Sequence, residues 1–112
     1  MTSLLRVIAA VFALYACAPL HAADANSARA LAATCATCHG TDGRSVGGVP
    51  PSLAGQSKAS LLQSMRDFRD GKRPATIMHQ QAKGYTDAQL DEIAGYFANV
   101  KPATGAPARG GY

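Results

Sequence analysis

Apolar residues in this chain fall into one continuous run and three helix-spaced sets. The continuous run is Val7–Ala16, ten apolar residues behind a short head, Met1–Arg6, with one positive charge. Further on, Ala28, Leu31, Ala32 and Cys35 recur at spacings of three and four, which predicts a helix over Asp24–Thr37, with Asn26 or Ser27 placed to cap it. Leu61, Leu62, Met65 and Phe68 share one face of a second helix, started by Ser57 or Ser60 and ended by Gly71. Leu90, Ile93, Ala94 and Phe97 form the stripe of a third. Its start is marked by Thr86 with Gln89 three residues on, a capping box, and by Asp87 in the first turn, where a negative charge suits the helix dipole. Lys101-Pro102 stops it.

The connections are long. Gly40–Gly55 holds five Gly, two Pro and two Ser, and reads as a loop. Lys72–Gly84 reads as irregular, broken by Pro74 and Gly84. No stretch alternates as a strand does, and no internal repeat is visible. The prediction is a small all-α domain of three or more helices whose loops are long enough that something else must fill its middle.

The N-terminal run does not belong to that domain. A basic head, an apolar middle and the small-residue exit Cys17–Ala22 are the parts of a secretory signal, cleaved after Ala22 or Ala23. Ten apolar residues are too few to span a bilayer, which takes about 20, and no later stretch is long and apolar enough to do so. Leu14-Tyr15-Ala16-Cys17 also loosely resembles a lipoprotein processing site, which makes a lipid anchor at Cys17 the alternative, although Tyr15 is bulky for it. The chain thus divides into a signal peptide at 1–22, a domain at 23–101 and a disordered tail at 102–112. That tail is rich in Gly, Ala and Pro and has almost nothing to bury.

The part left after cleavage has room for one domain with a thin core, the size class in which a disulfide, metal or cofactor often completes the fold. The whole chain of 112 residues carries a net charge of +4 and no Trp. Its basic residues are dispersed, which excludes a nucleic-acid-binding signature.

Cys35-Ala36-Thr37-Cys38-His39 is C-x-x-C-H, the attachment sequence for c-type haem. Residues three and four apart share a helix face. Cys35 and Cys38 therefore reach two vinyl groups on one porphyrin edge as thioethers, and His39 comes under the iron as proximal ligand. Gly40 lets the chain turn away. Three rival uses of the cysteines are weaker. A disulfide closing so short a loop gains little stability. A thioredoxin-like pair needs a βαβ setting. A zinc site needs more ligands than His79, the one further His beyond the leader. An export signal ahead of the motif agrees with haem attachment, which occurs outside the cytoplasm.

The sixth iron position has three candidates. Met65 lies mid-helix among apolar neighbours and reads as packing. Met78 lies in the irregular segment, where a loop can carry its sulfur across the ring, and it is the preferred ligand. A thioether favours reduced iron and raises the potential. His79 is the alternative and would lower it, although a solvent-facing side chain is its simpler role. Val49-Pro50-Pro51-Ser52-Leu53 is a rigid loop that could offer a carbonyl to the second nitrogen of His39.

Residues Ala28 to Val100 resemble the class I c-type cytochromes, in particular the short single-haem bacterial ones. The resemblance is carried by Cys35–Gly40, Pro51-Ser52-Leu53-Ala54-Gly55-Gln56 and Phe68-Arg69-Asp70-Gly71-Lys72-Arg73. It continues in Met78, Ala82-Lys83-Gly84-Tyr85-Thr86-Asp87 and Ile93-Ala94-Gly95-Tyr96-Phe97. Within that family it is most similar to the cytochrome subunits of flavocytochrome c sulfide dehydrogenases, through Gly71–Met78 and Ala82–Asp87.

The resemblance implies helices wrapped round one covalent haem c, with first and last helices crossing so that Ala28, Leu31 or Ala32 faces Tyr96 and Phe97. It implies His39 and Met78 as axial ligands and the carbonyl of Pro50 or Pro51 on the His39 ring. Ser60 departs from the pattern, which has an aromatic residue there. With both axial positions filled, the expected role is one-electron transfer in the periplasm, cycling Fe(III) and Fe(II), rather than enzymatic catalysis. Electrons would arrive from a dehydrogenase such as a flavoprotein sulfide dehydrogenase and leave to a downstream cytochrome or oxidase. A permanently docked subunit of such a dehydrogenase is the alternative. Ligand binding or peroxidase activity would require Met78 to leave the iron. Lys58, Lys72, Arg73 and Lys83 are placed to steer an acidic partner.

Overall fold

The computed structural model of the chain describes residues 25–104. The expected signal peptide, Cys17 and most of the expected tail lie outside the described residues. Among those described, five α-helices and one 3-10 turn follow in order: α1 Ala25–Ala33, α2 Ala36–His39, the turn Thr41–Gly43, α3 Lys58–Arg69, α4 Met78–Lys83 and α5 Asp87–Asn99. No strand occurs among them.

The expected first helix is divided in two. Its regular part ends at Ala33, because the Thr34 hydroxyl donates back to the Leu31 carbonyl at 3.0 Å and the Cys35 amide reaches Ala32 rather than one residue further back. Ser27 is no cap; it lies inside α1, and its hydroxyl donates to Glu92 on α5 at 2.7 Å.

α3 begins at Ser57, whose side chain accepts the Ser60 amide at 3.2 Å. Ser60 itself is exposed, and the buried residue of α3 is Leu61. The helix docks through Leu61 and needs no aromatic residue at position 60.

α5 has the predicted start. The Thr86 hydroxyl accepts the Gln89 amide at 3.3 Å, while the Gln89 side chain accepts the Thr86 amide at 2.9 Å. Such a cap contributes about 1 kcal/mol. Asp87 in the first turn also holds Arg69, at the end of α3, at 2.8 Å, which ties the two helices together.

Lys72–Gly84 is not irregular throughout. Six of its residues form α4, which packs on α3 and buries Ala82 completely. A helix this short gives no apolar period to read, so only packing reveals it.

α1 packs on α5, and α3 packs on both α4 and α5. The centre is small: Ala32, Leu61, Ile93, Ala94 and Phe97, flanked by Leu31, Cys35, Leu53, Leu62, Tyr85 and Tyr96. Phe97 and Leu90 are the largest fully buried side chains. Each contributes about 1.5–3 kcal/mol by burial. The expected facing of α1 toward the aromatic pair of α5 is present, with Leu31 and Ala32 in the same cluster as Tyr96 and Phe97. The two rings meet edge to face at 5.2 Å.

Candidate functional site

Cys35, Cys38 and His39 are held on one helical turn by the backbone alone. The amides of Cys38 and His39 both donate to the Cys35 carbonyl, at 3.3 and 2.9 Å, and the Gly40 amide donates to Ala36 at 3.0 Å. Gly40 then reverses the chain at φ +81°, where a β-carbon would collide with the Arg44 carbonyl oxygen. Only glycine fits there, for a reason the motif itself does not show.

Cys35 and Cys38 are not joined to each other; Cys35 is half-buried and Cys38 exposed. Burial pushes the Cys35 thiol above its ordinary range, and the adjacent Cys38 adds to this against the opposing Thr34 hydroxyl. A redox pair that attacks as a thiolate needs the opposite shift. Thr34 Oγ1 lies 2.6 Å from the Tyr85 hydroxyl. Since Thr34 spends its proton on Leu31, Tyr85 is the donor of that pair. The bond fastens the segment ahead of α5 to the residue beside Cys35.

His39 is buried, and its Nδ1 lies 2.7 Å from the Pro51 carbonyl oxygen. A carbonyl can only accept, so Nδ1 carries the proton. Nε2 is therefore the nitrogen with a free lone pair, and the ring is oriented to offer it to a metal. Of the two prolines expected to supply this carbonyl, Pro51 is the one that does.

The loop behind Pro51 is fixed at one point. The carbonyl of Gly43 accepts the Leu53 amide at 2.8 Å, the Ala54 amide at 3.1 Å and the Ser52 hydroxyl at 2.8 Å. Next to it, Asp42 receives the Tyr96 hydroxyl at 2.7 Å on one oxygen and Arg44 at 3.2 Å on the other. The Tyr96 hydrogen bond holds the Asp42 carboxyl below the usual carboxylate range, aided by the charges of Arg44 and Arg29. The same bond pushes the Tyr96 phenol up. Asp42, Tyr85 and the hydroxyl of Tyr96 take their places here through contacts that no local motif announces. The Asp42-Gly43 pair was the available signal, since such pairs mark turns.

Met78 is the first residue of α4, half-buried, and not part of an irregular loop as expected. It is carried by a helix that packs on α3, whereas His39 belongs to α2, which packs on α1 and the 3-10 turn. Met65 is half-buried within α3. His79 is half-buried too, and lines an open groove with Phe68, Arg69, Arg73 and Lys83. The four steering candidates are not equivalent. Lys58 pairs with Asp91 at 2.7 Å and Lys72 with Asp70 at 3.4 Å. Arg73 stacks 4.7 Å above the Phe68 ring and donates to Ser64, while Lys83 is exposed.

These residues fit a haem c. Two thiols and an imidazole with Nε2 available share one turn. Val46, Val49 and Ile77, 94%, 82% and 55% exposed, are large apolar side chains in the segments that carry Pro51 and Met78. That is surface a flat apolar ring can cover.

Residues 25–101 match the family model for cytochrome c, and the chain belongs to that family. Its haem c is bound covalently, and the one C-x-x-C-H provides for a single haem. Cytochrome c4 of Pseudomonas aeruginosa is 44% identical over 86 residues, covering 76% of this chain and 43% of that protein. The cytochrome subunit of sulfide dehydrogenase of Chlorobaculum tepidum is 44% identical over 70 residues, covering 62% of this chain and 63% of its own length. The chain thus spans less than two thirds of either relative. The solved cytochrome c4 of Acidithiobacillus ferrooxidans has 40% identity and a TM-score of 0.55, over 59% of this chain and 38% of that one. The all-helical architecture is that of a class I cytochrome c.

Proposed function

We propose that this chain is a periplasmic one-electron carrier with His39 and Met78 as the axial haem ligands. The observation that carries the reading is His39, buried, with Nδ1 committed to Pro51 and Nε2 left for iron, one residue beyond the second of the two cysteines of the motif. Bound haem c supplies the one-electron Fe(III)/Fe(II) couple. Cys35 and Cys38 fix the ring in place, and Pro51 fixes the His39 tautomer. Met78, a soft ligand, would favour the reduced state. The Val7–Ala16 run and its small-residue exit support export.

The electron donor in this reading is a dehydrogenase, and a flavoprotein that oxidises sulfide is the specific candidate. The 44% identity to a cytochrome subunit of sulfide dehydrogenase also supports a second reading, a permanently docked subunit rather than a free carrier.

The test is expression with a c-haem maturation system. A covalently coloured band on a denaturing gel and a reversible one-electron titration of purified protein are expected. Haem that extracts into acid acetone would sink the reading. Copurification with a flavoprotein from the native host separates the two forms: a stable complex through gel filtration indicates the docked subunit, a lone small protein the free carrier.

A further inference from the structure

We propose that Tyr96 is a positioning residue for His39: through Asp42 and the Gly43 carbonyl it sets how firmly Pro51 holds the Nδ1 proton. The proposal rests on His39 being the iron ligand, as above, and names what tunes it.

Pro51 has no amide hydrogen of its own, so its carbonyl is placed by the residues that follow it. Those residues converge on one acceptor. Ser52, Leu53 and Ala54 all donate to the Gly43 carbonyl, at 2.8, 2.8 and 3.1 Å. Three donors exhaust an oxygen with two lone pairs. Where Gly43 sits, the Pro51 loop must follow.

Gly43 is in turn placed by Asp42. That residue stands at φ +53°, a left-handed conformation uncommon for any residue but glycine. Both carboxylate oxygens are tied. One accepts the Tyr96 hydroxyl at 2.7 Å; the other accepts Arg44, whose Nε donates to the Lys101 carbonyl at 2.9 Å. The 3-10 turn is thereby anchored to α5 and to the chain just beyond it. The same helix takes the far end of the loop, where the Gly55 amide donates to the Phe97 carbonyl at 2.9 Å. The last helix therefore holds the loop on both sides of Pro51, whose carbonyl meets His39.

A firmly held Nδ1 proton makes imidazole a stronger donor through Nε2 and favours the oxidised metal. Slackening the chain of contacts should raise the reduction potential. Tyr96→Phe is the decisive variant in the haem-loaded protein. It keeps the ring that packs on Phe97 and leaves net charge at neutral pH unchanged, so no new charge moves the potential. Ser52→Ala, also uncharged, removes one of the three donors to Gly43. Both should raise the potential and shift the His39 Nδ1 nitrogen resonance toward a weaker hydrogen bond. Thr86→Ala, which weakens the other end of α5, should lower stability and leave both readouts at wild-type values.

The proposal is overturned if Tyr96→Phe lowers the denaturation midpoint while potential and Nδ1 resonance stay put. It is equally overturned if Thr86→Ala shifts them as far as Tyr96→Phe. A wild-type protein without a histidine-ligated low-spin spectrum would fell the ligation reading and this proposal together; a normal wild type with a silent Tyr96→Phe removes this proposal alone.

Discussion

The edge of the Phe97 ring rests on the backbone of Gly43, so close that a β-carbon at position 43 would lie 2.7 Å from both Cδ1 and Cε1. Gly43 is also at φ +72°, where side chains are strained. Gly43→Ala therefore combines a left-handed penalty of about 1–2 kcal/mol with overpacking of about 1–3 kcal/mol. A urea melt of the haem-loaded variant should show a loss of about 2–5 kcal/mol from these two causes. A loss under about 1 kcal/mol would mean the ring moves aside freely.

Phe97→Ala addresses the same contact from the other side. Phe97 is 1% exposed and touches the turn, α1 and α3 through the central cluster. The expected cost is about 3–5 kcal/mol, the range for a buried aromatic truncated to Ala. Tyr96→Ala should cost less, since that ring is only half-buried. The reverse order in denaturant melts would show that α5 turns its other face inward.

Which parts of this were legible beforehand follows from what each part depends on. The stripe Leu90, Ile93, Ala94 and Phe97 and the Thr86–Gln89 box were readable because they depend on residues three or four apart, which share one helix face. The haem turn was readable because C-x-x-C-H is local chemistry. α4 was not, because six residues with one buried alanine leave no period. Nor were the Tyr96–Asp42 and Tyr85–Thr34 pairs, whose partners stand 54 and 51 positions apart. Such pairs depend on tertiary placement. The split of the first helix at Thr34 lies between these cases: the hydroxyl was in view, but its choice of the Leu31 carbonyl was not.

The proposed ligation by Met78 has a spectroscopic consequence. The oxidised protein should show the weak far-red band of a sulfur-to-iron bond. Met78→Ala should lose it, lower the potential, since a thioether favours Fe(II), and admit carbon monoxide or cyanide. Met65→Leu should change none of these. Loss of the band in Met65→Leu with its retention in Met78→Ala would reverse the assignment, and a spectral shift in His79→Ala alone would point to bis-histidine ligation.

Removing the haem attachment should remove much of the fold. Among the described residues the largest fully buried side chains are Phe97 and Leu90, and the rest of the core is mostly alanine and medium-sized aliphatics. A domain this small seldom holds together on such a core alone. Cys35→Ala, Cys38→Ala should lose much of its helical circular dichroism. Cooperative, native-like melting of that variant would contradict the expectation.

The Tyr96–Asp42 bond gives stability a pH signature. The folded Asp42 carboxyl lies below its unfolded value of about 3.9, so its contribution is present above that pH and lost as pH falls through the folded value. The folded Tyr96 phenol lies above its unfolded value of about 10, so its contribution is present below that pH and lost as pH rises through the folded value. The gap in urea midpoint between wild type and Tyr96→Phe should be flat from about pH 5 to 9. It should narrow below about pH 4. A gap unchanged down to pH 2 would show that the bond does not depend on the carboxylate charge.

The Gly43 carbonyl, with its three donors, also decides how the loop breathes. Gly47 and Gly48, at the loop's exposed tip, should exchange their amide hydrogens with solvent almost at once. Leu53 and Ala54, a few residues on and drawn from the same glycine-rich stretch, cannot release theirs until the 3-10 turn lets go, and the turn is bolted to α5. Their exchange should slow to the pace of Ile93 and Phe97, so that a stretch which looks like a floppy connection opens in step with the last helix, as one cooperative unit.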